Sequence, residues 1–197
     1  MLRHSSGFSL AEFVIGLAIL GILIVVAYPF FNTTLKQFFT LEQEGLTFSQ
    51  LSMQSHRIAK VLRGATDITQ AQNTETTVYA YFAPNDAYVS LIRYYKNVAG
   101  TKLLADVTPM SANPPNGTLL DAQKRTVTII ENFYSNPNVN TFEYLDAAGN
   151  KLNLPIADLH TIKGMRVNLA VPVTIPSISG NDTITVEVSL RNRKTNL

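Results

Sequence analysis

The sequence predicts an α+β fold in which one long N-terminal helix, partly transmembrane, packs on a mainly antiparallel β-sheet domain. Three observations lead there. Phe13 to Phe31 is a run of 19 residues without a charge. Beyond it, apolar residues recur at spacings of three and four as far as Leu62. From Thr76 the apolar period drops to two, with turn-forming residues between short runs.

The uncharged run has the length of a bilayer crossing. At about 1.5 Å per residue it approaches the roughly 30 Å of a hydrocarbon core. Pro29 lies near its end, where the missing N–H predicts a kink or a loosened turn. Gly16 and Gly21 are five apart and do not form the G-x-x-x-G dimer face, so they read as close-packing points. After Pro29 the helix turns amphipathic. Leu35, Phe38 and Phe39, then Phe48, Leu51, Ser55, Ile58 and Leu62, mark one face. Gly45 is expected to loosen it locally, and Arg63-Gly64 reads as its C-terminal stop. A helix from Phe8 to Arg63 would be roughly 84 Å long.

The β-rich part begins with Val78, Tyr79, Tyr81 and Phe82, closed by the turn Pro84-Asn85-Asp86. Tyr88–Lys96 is a second strand. Asn97–Gly100 turns into a third, Thr101–Val107. Thr108–Asp121, with three prolines and Asn116-Gly117, reads as a loop of exposed or contact surface. Val127 and Ile129 mark the next strand, followed by the polar turn Ser135–Asn140. Phe142–Leu145 and Lys151–Leu154 read as a hairpin about the turn Asp146–Asn150. Pro155–Lys163 is a short helix or turn. Met165–Val173 and Thr183–Leu190 alternate as strands, joined through Ser177–Asp182. A helix followed by strands with short connections implies one mainly antiparallel sheet.

The N-terminal edge of the apolar run carries the functional signal. Glu12 stands one residue before the run, and a carboxylate at that depth is costly without a partner. Ahead of it lies the short polar stretch Met1–Gly7 with Arg3 and His4, unlike a secretory n-region and without an A-x-A cleavage site. Gly7-Phe8-Ser9-Leu10-Ala11-Glu12 resembles the prepilin cleavage motif, G-F-T-L-x-E, of type IV pilins and type II secretion pseudopilins. The resemblance implies that prepilin peptidase cuts between Gly7 and Phe8 and N-methylates Phe8. Ser9 stands for the commoner Thr and keeps its hydroxyl.

It also implies a role for Glu12. The α-amino group of a mature Phe8 would be largely cationic. Glu12 lies four residues on, on the same helix face. In the family this carboxylate pairs with the N-terminal amine of a neighbouring subunit as helices enter the filament. A charge pair formed in a dry bundle satisfies two groups that are costly alone. The competing reading is an ordinary signal anchor that starts with Gly-Phe.

The tail adds a looser likeness. Phe142–Leu152, Ile162–Val173 and Thr185–Arg193 resemble the end of PilW/GspJ-type minor pilins, with F-x-Y-x-D-x-x-G and a last strand closing on L-R-N. The expected organisation is a leader at 1–7, a transmembrane or filament-core half-helix at 8–31, an amphipathic half-helix at 32–64 and an extracytoplasmic β-rich domain at 65–197. The resemblance implies a minor subunit in a tip or priming complex. Its partners would be prepilin peptidase, other pilin or pseudopilin subunits, the inner-membrane assembly platform and, before assembly, membrane lipid. Arg3 and His4 keep the leader in the cytoplasm and send the C-terminal domain outside. The protein would be a single-pass inner-membrane protein and then part of an extracellular or periplasmic filament.

Composition narrows the alternatives. A net charge of +2 gives no general drive toward nucleic acid, and the chain has no cysteine. Arg191, Arg193 and Lys194 form a basic end that reads first as a solvated tail and second as a DNA contact. A tip adhesin working through Thr108–Asp121 is the other binding alternative. Tyr79, Tyr81, Tyr88, Tyr94 and Tyr95 read as core and cross-strand packing before carbohydrate binding. Asn116 and Asn181 sit in sequons, a weak signal. His4, His56 and His160 lack metal-ligand spacing, and no catalytic or phosphate-binding motif occurs. The sequence is read as a non-enzyme without cofactor or metal.

Overall fold

The computed structural model describes residues 9–173 and 180–191. Its first element is the helix α1, Leu10–Arg63. The chain divides into two compact units, Met1–Gly45 and Leu46–Leu197. Helical structure is assigned without a break across Pro29 and Gly45. Ser9 precedes the first helical residue, and Phe8 lies outside the described residues. The helix ends where Arg63-Gly64 implied. Gly64 N–H reaches Lys60 O and Val61 O at 3.3 and 3.1 Å, satisfying carbonyls that a helix end leaves open. Gly64 does this without the left-handed conformation of the usual glycine stop.

The first unit holds the apolar stretch. Its large side chains from Leu10 to Phe31 are exposed, Phe13 at 63% and Phe30 at 75%. It is long and apolar enough to cross a membrane. The hydroxyls of Thr34 and Thr40 donate back to Phe30 O and Lys36 O at 2.9 and 2.8 Å. Such bonds spare the helix unsatisfied polar groups where water is excluded.

The second unit is built on the last turns of α1. Leu51, Ser55, Ile58, Ala59, Val61 and Leu62 are buried. The spacing 51–55–58–62 is the amphipathic stripe expected from sequence, although Phe48 stays half exposed. Ile58 and Leu62 are 1% and 0% exposed, so each contributes roughly 1.5–3 kcal/mol of hydrophobic stabilisation. The buried Ser55 hydroxyl is satisfied by Ser52 O at 2.7 Å.

Two antiparallel sheets, rather than the single one expected, enclose this stripe. The first is a meander of β1 (Asp67–Ala71), β2 (Glu75–Ala80), β3 (Ser90–Lys96), β4 (Leu103–Pro109) and β5 (Arg125–Ile130), in that spatial order. The second has the order β6 (Phe142–Leu145), β7 (Gly164–Pro172), β8 (Asn181–Ser189). Alternation identifies a strand but not its sheet. The split is made between β5 and β6, where Phe133 is buried and binds Thr101 O while Tyr134 binds Ala170 O. Val78, Ile92, Tyr94, Leu103 and Ala105 from one sheet share a core with Phe142, Tyr144, Met165, Val167 and Leu169 from the other.

The turns follow their residues. Asn97 Oδ1 accepts from Thr101 N and Lys102 N at 2.8 and 2.9 Å, and Gly100 takes φ +69°. In Asp146–Asn150, Asp146 Oδ1 accepts from Ala148 N and Asn150 N, both at 2.8 Å, and Gly149 takes φ +84°. These backbone N–H groups, with the Asn150 side chain, hold the Asp146 carboxyl below the ordinary carboxylate range. The run F-x-Y-x-D-x-x-G is thus two core side chains, a turn cap and a left-handed glycine.

Three expectations are corrected. β1 is a strand where none was expected, because Asp67–Ala71 shows little apolar alternation. Lys151–Leu154 is not a strand: it makes one bridge, Lys151 to Leu145, and Leu152 N reaches Tyr144 O before Pro155 removes the next donor. Thr108–Asp121 is not an open loop. Thr108 and Pro109 belong to β4, and beyond them Met110 pairs with Leu119 and Ser111 with Thr118. Asn113 ties this closed excursion to Val89 N at 2.9 Å and to the Tyr81 hydroxyl at 3.2 Å. Of the five tyrosines read as packing, only Tyr94 is buried, while Tyr81 and Tyr88 are exposed.

Candidate functional site

The site is the N-terminal edge of α1. A helix starts with N–H groups that have no intrahelical acceptor, and a side chain must supply one. Here Ser9 and Glu12 supply it reciprocally. Glu12 N donates to Ser9 Oγ at 3.3 Å, while Glu12 Oε2 accepts from Ser9 N at 2.9 Å and from Ser9 Oγ at 3.0 Å. This is a capping box, S-x-x-E. Phe13 N then reaches Ser9 O at 3.2 Å and closes the first turn.

Ser9 caps the helix, a role beyond that of a stand-in for Thr. The signal was available: a hydroxyl residue three positions before a glutamate and directly before an apolar run. Glu12 has a defined local role within the subunit, and no cation pairs with it among the described residues. Its carboxylate is held at the helix N-terminus, where the helix dipole favours negative charge. It is also fully accessible to a partner. Gly7 and Phe8, the expected cleavage and methylation positions, lie outside the described residues.

From Phe13 to Phe31 the helix presents apolar side chains, Tyr28 aside. Among the described residues, a Cβ added at Gly16 or Gly21 would meet nothing within 4 Å, so no close packing within them requires these glycines. His56 lies exposed on α1 and His160 exposed in the short 3₁₀ turn Leu159–Thr161. The described residues hold no group of three His, Asp or Glu side chains able to bind a metal. Arg191 is exposed, and Arg193 and Lys194 lie outside the described residues.

Comparison with known proteins agrees with this placement. The prokaryotic N-terminal methylation motif matches residues 2–28. No curated protein matches the chain. The motif spans most of the stretch expected as leader, the capping box and most of the apolar run. A motif of this prepilin type supports the type IV pilin or pseudopilin class and implies processing by prepilin peptidase and assembly with other pilins. With the apolar helix it describes a single-pass, membrane-anchored protein.

Proposed function

We propose that this chain is a minor pilin or pseudopilin, a structural subunit and not an enzyme. It is cut between Gly7 and Phe8, methylated on Phe8, and drawn from the inner membrane into a type IV pilus or type II secretion-like filament. The observation that carries the reading is the coincidence at one helix edge of the methylation motif, the Ser9–Glu12 cap and an uncovered apolar helix. The capped carboxylate is exposed and so open to pairing with the α-amino group of a neighbouring subunit. The exposed apolar side chains suit lipid first and helix bundles afterwards.

The finer assignment, a PilW/GspJ-type subunit in a tip or priming complex, is supported by the F-x-Y-x-D-x-x-G turn and the alternating last strands. Arg3 and His4 favour a cytoplasmic leader and an outer C-terminal domain. The test is the intact mass and N-terminal sequence of the protein from its native membrane. A chain starting at Phe8, about 14 Da heavier through methylation, is expected. A chain still starting at Met1 beside an active prepilin peptidase overturns the reading and leaves an ordinary anchored surface domain.

A further inference from the structure

Between the last turns of α1 and the β2–β3 connection lies an open groove of about 530 Å³. Its apolar side is Val61, Phe82 and Pro84, and its basic side is His56, Arg57 and Lys60. The Arg57 guanidinium lies 4.9 Å over the Phe82 ring, and Arg125 approaches the same ring at 5.8 Å. No carboxylate lines the groove. Among the described residues Arg57, Lys60, Arg63 and Arg125 have no ion pair, whereas Arg93, Lys102, Lys124, Lys151 and Arg166 each do. From Leu46 to Arg63 the helix carries three cations and no carboxylate.

The complementary surface is on the same chain. From Gln37 to Gly45 the helix carries two carboxylates, Glu42 and Glu44, and no cation. Neither is ion-paired among the described residues, and Glu42 is exposed. Beside them Phe38, Phe39 and Leu41 are exposed at 61%, 57% and 62%.

We propose that the groove docks the acidic, aromatic stretch Phe38–Glu44 of a second copy of this chain. The inference rests on the filament reading above and adds a specific subunit contact to it. Aromatic side chains meet Val61 and Phe82, and the two carboxylates meet Arg57 and Lys60. The two surfaces are different, so the contact is heterologous. A heterologous contact that does not close into a ring propagates as an open assembly.

The absence of native cysteine makes disulfide trapping clean. Two differently tagged full-length chains, one with Lys60→Cys and one with Glu42→Cys, are co-expressed and mildly oxidised in membrane and filament fractions. A disulfide-linked heterodimer is expected in at least one fraction. Its absence from both overturns the docking, whether or not the chain reaches filaments. The filament reading falls separately, when mature chain is missing from the filament fraction. Arg57→Glu beside Lys60→Cys should lower the disulfide yield on the order of tenfold, through like-charge juxtaposition. Glu44→Lys beside Glu42→Cys in the second copy should restore it. Unchanged yield in the first variant also overturns the docking.

Discussion

Substitution of Glu12 by glutamine separates two roles that alanine would remove together. Glu12 Oε2 accepts from Ser9 N and Ser9 Oγ, and a glutamine carbonyl can take the same place in a capping box. The cap therefore survives in Glu12→Gln and the charge does not. Loss of an N-cap costs about 1 kcal/mol, less than a tenfold change in an equilibrium. If the carboxylate pairs with a neighbour's α-amino cation in a dry bundle, its loss leaves that cation unpaired. Breaking such a buried pair costs roughly 3–5 kcal/mol, about two to three and a half decades. Ser9→Ala removes the hydroxyl and keeps the charge, so it should lie near the small figure. The assay is the ratio of mature chain in sheared filaments to mature chain in membranes, with cleavage followed by intact mass. The expected order is wild type, then Ser9→Ala within about tenfold, then Glu12→Gln and Glu12→Ala both strongly impaired, with processing largely intact. Normal incorporation of Glu12→Gln alongside failure of Ser9→Ala would refute the charge-pair argument and leave Glu12 as a helix cap.

Other expectations concern the second unit. Burial pushes the Tyr144 hydroxyl up to about 12, and it bridges the sheets by accepting from Gln72 N and donating to Gln72 O, each at 3.0 Å. Tyr144→Phe should cost about 1 kcal/mol in urea unfolding; no loss would mean the bridge is replaceable by water. Leu62→Ala, at a fully buried site, should cost roughly 2–5 kcal/mol, and a smaller loss would mean the helix end is not part of the core. A Cβ on Gly117 would lie 1.8 Å from Ala112 O, a backbone atom that cannot swing away. Gly117→Ala should therefore open the 110–120 excursion and raise proteolysis there, while Gly16→Ala should leave the isolated subunit unchanged. Burial pushes the Asp106 carboxyl up, but hydrogen bonds from Thr126 at 2.6 Å, Lys124 and Tyr95 outweigh it and leave it below the ordinary carboxylate range. Its folded value lies below its unfolded one, so its stabilisation is present above about pH 4 and is lost as pH falls further. Asp106→Asn should flatten the acid limb of an unfolding titration, and an unchanged limb would refute this assignment.

Much was readable in the sequence because local rules governed it. The membrane-length run, the methylation motif, the stop at Arg63-Gly64 and the stripe Leu51–Ser55–Ile58–Leu62 each follow from spacing along one segment. Period and turn chemistry placed seven of the eight described strands near their positions, with boundaries shifted by two or three residues at β2, β3 and β4. The Ser9–Glu12 cap was equally local and was legible as S-x-x-E.

Tertiary structure decided what depends on residues distant in the chain. Alternation in Phe142–Leu145 or Met165–Val171 says that one face is apolar, not which sheet it completes. That choice came from the buried Phe133 and the bonds of Tyr134 and Tyr144 across the core. Asp67–Ala71 became a strand because Glu75–Ala80 lay beside it, not through its own pattern. Lys151–Leu154 failed to become one: Leu152 and Leu154 pack on the core while the backbone makes one bridge. A short segment's propensity is worth less than the pairing and burial its neighbours offer, and those neighbours are fixed only once the chain has closed on itself.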